Sequence, residues 1–142
     1  MANIFLKDPF KHQIDAVSAC HNTDMDKFAY LMEMGTGKSK VLIDTIGILY
    51  GKGAINAVVI VAPKGVYINW STKEIPDHLP EYVDRHVAVW SPAPRKQEKA
   101  DLVKLFHTDL DKLKIFIINV EAFSTAKGVK FTENFILGHQ VL

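Results

Sequence analysis

KFAYLMEMGTGKSKVLIDTIGILY, Lys27 to Tyr50, is the stretch whose reading decides the fold. Its opening is apolar and predicts a strand over Phe28 to Met32, then a tight glycine-containing loop, then an amphipathic helix starting near Lys38. The loop GTGKS, Gly35 to Ser39, is the second half of a P-loop. Gly35 and Gly37 let the backbone turn sharply and bring its N–H groups against phosphate oxygens with no Cβ in the way, Thr36 lying between them. The helix adds its own unsatisfied N–H groups and the positive end of its dipole. Lys38 can reach the β- and γ-phosphates as the catalytic cation, the Ser39 hydroxyl suits Mg²⁺, and Lys40 completes the phosphate-side set. The expected ligands are therefore ATP and Mg²⁺. The long form of the pattern asks for a glycine where Met32 stands, which points away from the commonest kinase and GTPase loops.

Working outward, 142 residues make one domain with a sizeable core, and a hydrophobic fraction of 48% suits a globular protein. Seventeen Lys+Arg against sixteen Asp+Glu leave a net charge of +1, so no global basic field demands nucleic acid, although a local patch is allowed. The single Cys20 cannot form an internal disulfide; it reads as an inert helical thiol in a reducing compartment. MANIFLKDPF has no signal-peptide pattern, and no apolar run reaches a membrane span, so a cytoplasmic location is expected. The six histidines show no metal-ligand spacing.

Upstream, Asp8-Pro9 reads as a helix start, with Phe10, Ile14 and Val17 forming an apolar stripe to about Cys20. Downstream of the P-loop helix, GKG (Gly51 to Gly53) is a helix stop, and AVVIVAP (Ala57 to Pro63) is a continuous apolar run typical of a strand buried on both faces. GVYINWSTKEI predicts a helix packing through Val66, Ile68 or Asn69, Trp70 and Ile75, and ended by Pro76. HVAVW (His86 to Trp90) and KIFIINV (Lys114 to Val120) are further strands, separated by an amphipathic helix over Lys96 to Phe106. EAFST opens a short helix, KGVK reads as a turn, FTENFILG as a second helical piece, and HQVL as the opening of another strand. Alternating strands and helices give an α/β fold of three layers, a largely parallel sheet flanked by helices, with the ligand outside the carboxyl ends of the strands.

Four segments in this order resemble the first RecA-like half of a superfamily-two helicase or translocase, closest to the Swi/Snf type. KDPFKHQIDAV is similar to the glutamine-bearing region upstream of the first strand, MEMGTGKS to motif I, VVIVAPKGVYINW to motif Ia, and IFIINVEAF to motif Ib. The resemblance implies that Gln13 reads the adenine edge, a carboxamide being able to donate and accept at once. It implies that Phe10 could stack on the base or else join the core, and that Pro63, Lys64 and Gly65 contact a nucleic-acid backbone, that of DNA in the first instance. Trp70 reads as core rather than as a stacking platform, and Glu121 as a helix-start acid. The carboxylate pair that holds Mg²⁺ in such motors, and the second RecA-like half with its arginines, have no counterpart in these 142 residues. The resemblance thus implies a partial N-terminal domain, truncated before that pair, binding nucleotide but poor at hydrolysis, with an open sheet edge prone to self-association or awaiting a partner chain. A self-contained small P-loop kinase or NTPase, and a non-catalytic interaction module keeping the fold, are the alternatives.

Overall fold

The computed structural model describes residues 5–21, 31, 37–107 and 111–142. Their centre is β3 (Leu113–Asn119), every residue of which is buried. It pairs in parallel with β1 (Ala57–Ala62) on one side and with β2 (Arg85–Val89) on the other, in the order β1-β3-β2. A strand hydrogen-bonded on both edges and packed on both faces needs apolar residues throughout, which is why LKIFIIN does not alternate. The other edge of β1 is taken by Gln140 to Leu142: Leu142 N–H donates to Ala57 O and Val59 N–H to Leu142 O, both at 3.0 Å, around a parallel bridge between Ala57 and Val141. The HQVL segment does begin to pair as a strand.

Each face of β3 carries its own core. Ile115 and Ile117 point toward α2 (Lys38–Gly51) and meet Ile43, Ile46, Ile75 and Leu79. Phe116 and Ile118 point the other way, toward α5 (Lys96–Lys104) and α7 (Ala126–Leu137), and meet Leu102, Leu105 and Phe135. Burying each such side chain contributes roughly 1.5–3 kcal/mol. The fold is α/β, three-layered and all-parallel, consistent with part of a RecA-like domain. The strand expected over Phe28 to Met32 falls, Leu31 apart, outside the described residues.

Three local readings change. The helix after β1 does not stop at Pro76: α3 (Tyr67–Asn69), a π-helical stretch (Trp70–Glu74) and α4 (Ile75–His78) follow without a break. The Ile75 N–H donates to Trp70 O, five residues back, so one wide turn re-phases the helix. Pro76 then falls in the first turn of α4, where the proline ring is tolerated. The same wide turn brings Trp70, Ile75 and Leu79 to the core and leaves Val66 and Ile68 outside.

α1 (Lys11–His21) starts after Phe10 rather than at Asp8-Pro9, because Gln13 Oε1 accepts the Phe10 N–H at 2.9 Å and closes the helix start there. Among its described side chains the buried positions are Gln13 and Val17, whereas Phe10 and Ile14 are exposed. KGVK is not a turn but the start of α7, which follows the short α6 (Val120–Phe123). Thr125 caps it by accepting the Gly128 N–H at 3.1 Å, and a Cβ on Gly128 would run into the Ala122 carbonyl.

Candidate functional site

The first turn of α2 is built on Gly37, which stands at the N-cap with φ 80 and ψ 43. That left-handed conformation is costly for any residue with a Cβ. Space gives a second reason, since a Cβ here would collide with Nε2 of Gln13. Glycine offers no side-chain cap, and the first intrahelical bond runs from Val41 N–H to Gly37 O. The N–H groups of the turn before Val41 are therefore not used by the helix ladder.

These groups border a cavity of about 640 Å³. Gly37, Lys38, Ser39 and Lys40 line it from α2, and Phe10 and Gln13 from the α1 side, together with Lys7 and Asp8. Glu74 and His78 close it from the π-helical stretch and α4. Gln13, twenty-four residues from Gly37 in the chain, is thus in the same cavity as the phosphate-loop residues, and the residue is only 4% exposed. Phe10 is 70% exposed and its ring stacks on His12 at 5.9 Å, so it is not a core residue. Gly35 and Thr36 lie outside the described residues.

Lys40 turns inward. Its ammonium pairs with Asp44 Oδ2 at 2.7 Å, one turn along the same helix, and lies 5.4 Å from the centre of the Phe5 ring. Burial pushes the Asp44 carboxyl above its ordinary range, against the opposing pull of Lys40. Asp44 Oδ1 and His78 Nδ1 are both buried without a hydrogen-bond partner among the described residues. Burial likewise lowers His78, partly countered by Glu74, whose carboxylate is 3.7 Å from Nε2. This buried polar set was not anticipated. Lys40 and Asp44 carried a signal, an i,i+4 ion pair on an otherwise apolar face. Glu74 and His78 carried none, because the π turn sets which face they occupy.

Pro63, Lys64 and Gly65 are not in this cavity. They form an exposed turn just past β1, held by Val66 and Tyr67 N–H groups donating to Pro63 O at 3.0 Å. Next to them, at the end of β3, Asn119 Nδ2 donates to Glu121 Oε2 at 3.0 Å. Glu121's own backbone N–H and the Asn119 amide hold its carboxyl below the usual range, with the Lys64 charge adding to them. Both segments lie at the carboxyl ends of parallel neighbours, so they share one rim of the sheet.

Among the described residues no helix is long and apolar enough to cross a membrane, and no group of three His, Cys, Asp or Glu is placed to hold a metal ion. Comparison with curated proteins gives no match. A family model described as "Type III restriction enzyme, res subunit" matches residues 6–141. That span takes in α1, the glycine-opened α2, the parallel sheet and both helical layers, so the chain belongs to this family, as a helicase-type ATP-binding domain.

Proposed function

We propose that this chain binds ATP with Mg²⁺ as the N-terminal, partial RecA-like portion of a nucleic-acid-dependent ATPase, a helicase or translocase of the Swi/Snf-like kind. The observation that carries the reading is the shared cavity: a left-handed glycine opens α2 directly against the Gln13 carboxamide. The phosphates lie across the first turn of α2, on N–H groups and the Lys38 ammonium, while Gln13 and Phe10 take the base. The Ser39 hydroxyl sits in the same turn and fits a Mg²⁺ ligand; the ion supplies charge neutralisation at the phosphates when bound. Gln13 Oε1 accepts from the Phe10 N–H, which holds the carboxamide at the start of α1 on the cavity wall.

Pro63, Lys64 and Gly65 serve as a nucleic-acid contact on the sheet rim, where an exposed lysine on an exposed turn suits phosphates. MEMGTGKS and the Asn69-Trp70 pair after β1 favour the Swi/Snf-like kind, and DNA as the polymer. Hydrolysis by the 142 residues is weak. Among the described residues the cavity carboxylates are Asp8 and Glu74, neither of which follows a strand, where such motors carry their metal-holding pair.

Calorimetric titration of Mg·ATP and Mg·ADP into the chain, beside Lys38→Ala, tests the proposal. Saturable binding that the substitution abolishes is expected. A folded wild-type chain that takes up neither nucleotide overturns it, and favours an interaction module that kept only the fold.

A further inference from the structure

On the face of the sheet opposite α2, a groove of about 430 Å³ runs between α5 and α7. That is within the usual range of ligand sites. Its floor is aromatic: Phe131 lies 5.3 Å from both Trp90 and Phe106 between ring centres. Phe106 is 40% exposed and Val103, on the α5 side, 56%, so apolar surface reaches the outside. Among the described residues, the groove's charged lining side chains are Lys99 on α5 and Lys127 and Lys130 on α7, with no carboxylate among them. A smaller cleft beside it shares Lys99 and Val103 and adds Lys96 and Lys104. In a chain of net charge +1, this is a local concentration of positive charge around hydrocarbon.

We infer that the α5–α7 groove is a docking site for an acidic protein segment that carries an aromatic or aliphatic anchor. The anchor covers Phe106 and Phe131, and flanking carboxylates meet Lys99, Lys127 and Lys130. Charge complementarity selects the flanks, and desolvation of the rings supplies the attraction at the centre. A nucleic-acid base fits less well. Its polar edge needs partners when desolvated, and among the described lining residues the neutral polar groups are the Trp90 indole N–H, Ser91 and Asn134. Nor is this a second entrance to the nucleotide cavity, which lies across the sheet.

The probe is a fluorescein-labelled synthetic peptide of Asp and Glu residues around a Phe-Leu pair, read by anisotropy on the full 142-residue chain. Its companion has the pair replaced by alanines, and labelled oligothymidylate is the nucleic-acid comparison. The peptide is expected to bind saturably and its companion about tenfold more weakly, as is the peptide to Lys127→Glu/Lys130→Glu. Val103→Glu, at an exposed position, gives the same loss while circular dichroism and thermal melting stay unchanged. Equal binding of the two peptides, no saturable binding, or stronger binding of oligothymidylate in the groove each overturns the inference.

Discussion

The amino ends of α2 and α7, the two longest helices among the described residues, begin alike and are finished differently. Each has a glycine whose missing Cβ a neighbour needs, the Gln13 carboxamide at Gly37 and the Ala122 carbonyl at Gly128. At α7 the polar groups are satisfied internally: Thr125 Oγ1 takes the Gly128 N–H and donates its own hydrogen to Ala122 O at 2.6 Å. At α2 the cap is a left-handed glycine with no side chain, facing a cavity with Lys38 and Ser39 on its wall. A glycine at a helix start is thus not by itself a binding feature. What separates the two is the cap residue: a threonine whose side chain takes a first-turn donor at α7, and a bare left-handed glycine on a cavity wall at α2.

The sharpest way to break this comparison is at Lys38. Lys38→Ala should weaken nucleotide binding by at least about a hundredfold, or roughly 2.7 kcal/mol, with the melting temperature unchanged. Calorimetry that finds unaltered affinity removes the functional meaning of the α2 end. Overpacking α7 comes next. Gly128→Val should cost roughly 1–3 kcal/mol in urea unfolding because the new side chain meets the Ala122 backbone. Nucleotide affinity of the folded fraction should not change. Gly37→Ala should cost roughly 1–2 kcal/mol for its left-handed backbone, and should also displace Gln13 and weaken nucleotide binding. The contrast between these two glycine variants is the test: stability falls in both, binding in one.

Smaller effects sharpen the comparison. Thr125→Ala should destabilise by about 1 kcal/mol, with no effect on nucleotide titration. The cavity wall adds a dependence on pH that the α7 end lacks. His78 is lowered from its ordinary 6.5, so its contribution is full above that value and is lost as pH falls through the folded value. Asp44 is raised from 3.8, so its ionised form is the costly one and protonation on the acid side relieves the cost. Melting temperature should therefore decline as pH drops below 6.5, and decline less in His78→Gln. Identical profiles for the two proteins would show that His78 does not titrate as its burial implies.

Much of the architecture was legible because it rests on local regularities. Unbroken β-branched runs marked β1 and β3, GKG marked the end of α2, and Gly37 does take a positive φ. The failures cluster where a side chain or one backbone turn overrode the pattern. Phe10 looks like the first core position of α1, but Gln13 bonding back to its N–H moves the helix start and turns the ring outward. The π turn between Trp70 and Ile75 shifts the buried face by one residue, and nothing in WSTKE announces it. KGVK contains a turn-former, yet the close Ala122 carbonyl and the Thr125 cap make Gly128 the residue a helix requires there.

The sequence by itself determined the phosphate-type loop, the helix behind it and the parallel α/β layering, since these follow from glycine's freedom, helix-end chemistry and strand hydrophobicity. Only the tertiary structure decided which distant groups share a space. It set Gln13 against Gly37, turned Lys40 inward onto Asp44, and brought Glu74 and His78 to the cavity wall. It also raised three lysines around an aromatic groove on the far face. Those juxtapositions depend on how helices are rotated and packed on the sheet, a collective outcome of many contacts that no short stretch of residues encodes.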